Sequence, residues 1–299
     1  MPFYSDEVIK NIEEEFRLFL IDKSQYAEIA TLISIIAPNN TLQTQLYHFA
    51  YHGLLRRIMI LNRCVENIFN VRDFYLETVP SDDELSDIII NLQCFIINLY
   101  GALENLAWIY AICINFKGTK FDISFFAKQK KLLNTLPENI KKSFIGDGKW
   151  LEHIKKIRDL LAHQEPLYIP PYCVIMEQKD KWQVLEEKKW KIESNFIKEL
   201  LEMSKKRNSS HEPTTINKIK AELQKPNELE IQKNEIISKI NAEQSQYIIF
   251  RPMLVANTNT TDPLYIQFYP QTLVDIKTIY EKVLLILKYS GNKKINLNI

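Results

Sequence analysis

The sequence predicts a mainly α protein, a helical bundle with a small antiparallel β-element and a C-terminal helix. Three observations carry that expectation. The 299 residues contain only six glycines, Gly53, Gly101, Gly118, Gly146, Gly148 and Gly291, so long stretches lack the punctuation of a many-turned β-fold. Apolar residues recur at helical spacing over most of the chain. Strand-like runs are confined to "YCVIM", "YIIFRPMLV" and "LYIQFY", all in the second half of the chain.

Taken in order, residues 6–21 set Val8, Ile9, Ile12, Phe16, Phe19 and Leu20 at helical spacing. Residues 25–36 form a second expected helix, stopping before Pro38-Asn39-Asn40. A long helix is expected over about 42–71, capped by Thr41. Pro80 then breaks the chain. Ser81 is a good N-cap, and Asp82, Asp83 and Glu84 put negative charge in the first turn, where the helix dipole favours it. That helix runs to about residue 115. Its apolar section, 88–116, is long enough to span a bilayer, yet it carries Asn91, Gln93, Asn98, Glu104 and Asn105. A glutamate in lipid is expensive, so the section reads as a buried bundle helix, with a membrane span as the alternative.

Residues 117–149, with Gly118, Pro137, Gly146 and Gly148, predict short helices and loops. A helix over about 149–164 follows. Pro166, Pro170 and Pro171 then impose an extended path into a strand at 172–176. Residues 179–243 are dense in charge of both signs and read as solvated helix faces, with a loop at "RNSSHEPTT" and a break near Pro226. Strands at 247–255 and 264–269, linked by a hairpin turn at "ANTNTTDP", are expected to join 172–176 in one small sheet. The last helix, 270–289, has an apolar face that includes Leu273, Ile276, Tyr280 and Leu287. The chain is read as one domain over 1–299: N-terminal helices (1–40), a core bundle (41–178), a charged helical insertion (179–246), and strands plus a terminal helix (247–299).

The net charge of +1 gives no global field favouring nucleic acid or membrane, so any such signal has to be local. The N-terminal stretch lacks the apolar core of a signal peptide. Cys64, Cys94, Cys113 and Cys173 are widely spaced, without a CxxC or Cys/His cluster of zinc spacing. The first three read as buried thiols, as a reducing cytosol permits, and a cytoplasmic location is expected. No glycine-rich phosphate loop, G-x-S-x-G or HExxH occurs, so neither a cofactor nor a metal is expected.

The segment "KKIRDLLAHQEP", residues 155–166, gathers Arg158, Asp159 and His163 in the last turns of a helix, just before a proline that cannot continue it. Asp159 and His163 are i,i+4 and share a face, so Asp159 is placed to orient His163. Arg158 and His163 lie about 140° apart around a straight helix. One chain therefore does not easily aim both at one phosphate, and a productive site calls for a second copy across a two-fold axis. Between 117 and 158, eleven Lys/Arg face four acids, a net +7 that would attract a phosphate backbone. Lys149, Lys155 and Lys156 are the candidate contacts to such a backbone. The plainer reading of such a run is a solvated lysine-rich loop.

The pattern Arg158-x4-His163 with an acid after the arginine resembles the HEPN superfamily. The segments "NLYGALENLAWIY" (98–110) and "IRDLLAHQEPLYIPPY" (157–172) are similar to paired signatures of an uncharacterised bacterial HEPN-like group. The resemblance covers roughly 40–175. It implies a helical bundle, a homodimer with both motifs facing one cleft, and metal-independent cleavage of RNA, as in ribonuclease toxins of toxin–antitoxin pairs or antiphage defence effectors. Under it, His163 serves as general base or acid, Arg158 holds the non-bridging phosphate oxygens, and Asp159 orients His163, leaving a 2′,3′-cyclic phosphate and a 5′-hydroxyl. The alternative is a non-catalytic module that binds RNA, a nucleotide or a protein partner. A third reading is an interaction protein that docks a partner through 179–246.

Other residues have a plainer role open beside the functional one. Glu104 and Asn105 either support Arg158 or His163, or belong to a polar network in the bundle core. Tyr168 either stacks on a base or packs, and packing is favoured. His48 and His52 are i,i+4, a spacing that binds metal, but read as a partly exposed pair without a third ligand. His153 reads as a surface residue, and His211 sits in a loop with no identifiable partner.

Overall fold

The computed structural model describes residues 3–22, 24–38, 44–126, 129–146, 148–164, 166–209, 216–256 and 263–296. The protein is mainly α, with two small antiparallel strand pairs among the described residues. It divides into two compact units. One comprises Met1–Pro170 with Pro252–Ile299, and the other Pro171–Arg251.

The first unit is a helical bundle. Helix α1 (Asp6–Ile21) is capped by Ser5 and coincides with the expected range. Helix α2 (Ser24–Ile36) buries Ile29, Ile33 and Ile36. The expected single helix over 42–71 is divided. A short turn, α3 (Gln45–Tyr47), is capped by Thr44, whose hydroxyl accepts from the Tyr47 N–H at 3.2 Å. A π-helical run, His48–Leu55, then leads into α4 (Arg56–Val71). Thr41 lies outside the described residues, as do Asn39 and Asn40.

Helix α5 (Asp82–Cys113) starts with a capping box. The Ser81 hydroxyl accepts from the Glu84 N–H at 3.2 Å, and the Glu84 carboxylate accepts from the Ser81 N–H at 2.7 Å. By length and composition α5 is able to cross a membrane. In this fold it is the central element. Helices α4 and α10, the π-helical run and the motif helix pack on it, and fourteen of its residues are buried, among them Phe95, Leu99, Leu103, Leu106 and Tyr110. Full burial of each such side chain contributes about 1.5–3 kcal/mol.

The glycine-bearing stretch after α5 forms two 3-10 turns, then α6 (Glu138–Gly146) and α7 (Gly148–His163), the motif helix. Leu151, Ile154, Ile157 and Leu160 form the buried face of α7. The indole N–H of Trp150 donates to Asp275 at 2.7 Å and ties the start of α7 to the last helix.

The second unit opens with β1 (Cys173–Val174), followed by α8 (Lys179–Ser209) and α9 (Ile216–Gln244). Gln244 donates to Glu186 at 2.8 Å, and further back along α9 Lys233 lies 4.4 Å from the Phe196 ring centroid. Those two meetings give an antiparallel helix pair. The expected break near Pro226 does not occur. Proline removes one i→i−4 bond, and the turns on either side carry the helix through. His211 and residues 210–215 of the expected loop lie outside the described residues, whereas Arg207–Ser209 belong to α8. Strand β2 (Ile248–Ile249) closes the unit, pairing with β1 in the register Cys173↔Ile249.

In the first unit, β3 (Met253–Ala256) pairs with β4 (Leu264–Gln267), Met253 opposite Gln267. The expected three-stranded sheet is therefore two separate pairs. The run 247–255 is cut at Pro252, which has no N–H to give to a ladder. Most of the hairpin linker, 257–262, lies outside the described residues. Helix α10 (Phe268–Asn296) extends beyond 270–289 at both ends.

Candidate functional site

Segment 98–105 of α5, Asn-Leu-Tyr-Gly-Ala-Leu-Glu-Asn, is where the functional side chains gather. On one side stands α7. The Arg158 guanidinium lies over the Tyr100 ring, 4.3 Å from its centroid. Tyr100 itself stacks on Phe126 at 4.4 Å. Arg158 Nη1 donates to Asp159 Oδ1 at 2.6 Å, a charge-assisted bond that fixes the Asp159 carboxylate on the arginine. The expectation that Asp159 orients His163 thus meets a different arrangement. Among the described residues no hydrogen bond joins Asp159 to His163, because the adjacent guanidinium takes the carboxylate. His163 is the last residue of α7 and is exposed, whereas Arg158 and Asp159 are half-buried.

Glu104 faces the same side. It accepts from the Ser124 hydroxyl at 2.5 Å. Burial raises its proton affinity above the usual carboxylate range, and the Ser124 bond, Arg158 and Lys155 pull it partly back. Glu104 lies beside the motif helix, with Arg158 and Lys155 as charged neighbours and Ser124 as its hydrogen-bond partner.

Asn105 belongs to the other side. Its Oδ1 accepts from Arg57 Nε at 3.0 Å, and Asn98 Oδ1 accepts from Arg57 Nη1 at 3.0 Å. Two glycines make room for this arrangement. A Cβ at Gly101 would come within 2.4 Å of Arg57 Cζ, and one at Gly53 within 2.7 Å of Asn105 Cγ. Sequence reading missed Arg57. The available signal was Gly101 in mid-helix, where a glycine costs about 1 kcal/mol and usually has a packing reason.

The three lysines separate by helix geometry. Lys155 precedes Arg158 by three residues and shares its side of α7. Lys149 and Lys156 project from roughly the opposite face, about 180° and 160° away. Both are exposed and stand apart from the arginine. Tyr168 is 49% exposed, so the favoured packing role does not hold for its ring. Its main chain is what is engaged: Val255 N–H donates to the Tyr168 carbonyl at 2.8 Å. His153 is not a surface residue. It is half-buried, its Nε2 is buried with no hydrogen-bond partner among the described residues, and burial lowers its pKa. His48 and His52 are exposed, 5.7 Å apart between ring centroids, and among the described residues no third side chain completes a metal-ligating group with them. Of the cysteines expected to be buried, Cys64 and Cys113 are, while Cys94 is half-exposed beside Cys64, whose thiol is pushed up to about 12 by burial and by that neighbour.

Compared with protein families, with curated proteins and with solved structures, the chain gives no significant match.

Proposed function

We propose that the protein is a HEPN-like endoribonuclease that cleaves RNA without a metal, acting as a homodimer in the cytoplasm. The observation that carries the reading is the composition of the α7 end: an arginine held on an aromatic ring, and five residues on an exposed histidine at the helix terminus. The 2′-hydroxyl of the substrate attacks the adjacent phosphorus as His163 takes its proton. The P–O5′ bond breaks and the 5′-oxygen takes a proton from water, to which the His163 imidazolium later returns its own, while Arg158 neutralises the charge that builds on the non-bridging oxygens. Glu104 puts a carboxyl group beside Arg158, and Lys155 adds positive charge. Arg158 and His163 diverge on one helix, so the reading pairs Arg158 of one protomer with His163 of the other. A role as a toxin or antiphage effector fits such an activity.

A second reading is favoured by one specific observation. Arg158 is already ion-paired with Asp159, and His163 has no orienting hydrogen bond among the described residues. That arrangement supports a non-catalytic module that binds RNA, a nucleotide or a protein. Incubation of the protein and its His163→Ala variant with tRNA and total RNA separates the two. The ribonuclease reading expects fragments from the first and none from the second. Equal cleavage by both, or binding without turnover, would remove it.

A further inference from the structure

Arg57 is half-buried on α4, and among the described residues no carboxylate is paired with it. Its two hydrogen bonds go to neutral amide oxygens. A guanidinium has five N–H donors, so three remain without a partner among the described residues. A positive charge partly withdrawn from water without a counter-charge is less favourable than a paired one. These bonds tie α4 to α5, yet among the described residues the fold sets no acid opposite the charge. It clears a glycine above the guanidinium at Gly101 and orients the group with Asn98 and Asn105, which supply dipoles but no negative charge.

The position of this charge relates it to the motif. Arg57 lies over Gly101, and Arg158 lies over Tyr100, the preceding residue. Consecutive helix residues differ by about 1.5 Å along the axis and about 100° around it. Both guanidiniums therefore flank one level of α5. The strip between them carries Ile97, 40% exposed, and Glu104, half-buried against Ser124, so it opens to solvent at Ile97.

We propose that Arg57, oriented by Asn98 and Asn105, is a second phosphate seat, which binds the backbone phosphate next to the one held by Arg158. The proposal rests on the ribonuclease reading for its substrate, and it makes Arg57 a positioning residue that fixes the register of the strand across α5. Its ligand chemistry is a nucleic-acid phosphodiester.

The test is fluorescence anisotropy with a labelled twelve-nucleotide 2′-O-methyl RNA, which lacks the attacking hydroxyl. It is run across salt concentrations on the full-length protein and three variants. Arg57→Gln removes the charge. Gly101→Ala displaces the flexible end of Arg57 while improving helix propensity, and so keeps the test open if the first variant folds poorly. Arg56→Gln removes an equal charge from an exposed neighbour. Loss of one charged contact predicts about tenfold weaker binding for Arg57→Gln and Gly101→Ala, and a salt slope shallower by about 0.7. Arg56→Gln is expected to stay within about twofold. Affinity and slope unchanged in both Arg57-seat variants, or lowered equally by Arg56→Gln, overturn the seat. If the protein still cleaves natural RNA in that case, the ribonuclease reading survives alone. Weakened binding in a protein that cleaves nothing supports the seat and removes the ribonuclease reading. No binding by the wild-type protein removes the seat as well.

Discussion

Asp275 gives the fold a dependence on pH that is open to direct measurement. Its carboxylate is 4% exposed on α10 and accepts from the Trp150 indole at 2.7 Å and the Gln271 amide at 2.8 Å, both on Oδ1. Burial outweighs those two bonds and raises its pKa from 3.8 to about 6. The folded state thus binds the proton more tightly than the unfolded chain does. The stability this group contributes is full below the unfolded pKa and falls as pH rises towards 6. At 1.36 kcal/mol per unit, the loss between pH 4.5 and 7 is about 2 kcal/mol. Asp275→Asn keeps an oxygen for both donors and cannot ionise. Urea unfolding of both proteins across that range should therefore show the variant gaining about 2 kcal/mol on the wild type from low to high pH, whatever constant offset the substitution brings. Because Trp150 stands in the first turns of α7, the same residue anchors the helix that carries the motif. A difference between the two proteins that does not vary with pH would refute the burial argument.

Two other expectations concern the frame. Ser81→Ala removes half of the capping box at the start of α5 and should cost about 1 kcal/mol, measured by urea unfolding; a cost near zero would mean that the packing of α5 makes the cap redundant. Trp190 of α8 is 68% exposed, so Trp190→Ala should change stability by no more than about 0.5 kcal/mol; a larger loss in thermal melts would show that this face is covered in solution.

The helices were legible in the sequence where apolar spacing and caps agree. The range 6–21 was read as it stands, and Ser81 with Glu84 marked the start of α5. The π-helical run at His48–Leu55 was not legible, because its residues continue a helical pattern and only the extra width of the turn differs. The β-elements were legible as strands but not as pairs. Pro252 was in view, yet pairing partners are a long-range matter that local pattern does not carry. At the site, Arg158 and Asp159 were found by spacing, but their mutual bond was not, since neighbours in sequence do not ordinarily face each other on a helix. Arg57 was missed because its partners lie 41 and 48 residues away on another helix. Gly101 and the asparagines at 98 and 105 were in view without the arginine that explains them.

The central claim is that Arg158 and His163 cleave RNA through attack of the 2′-hydroxyl. The most direct measurement is end-group analysis of fragments made by the full-length protein in EDTA, beside His163→Ala. Fragments with 2′,3′-cyclic phosphate and 5′-hydroxyl ends, absent for the variant, are the predicted result. Fragments with 3′-hydroxyl and 5′-phosphate ends, no fragments from the folded wild-type protein, or the same fragments from the variant would contradict it.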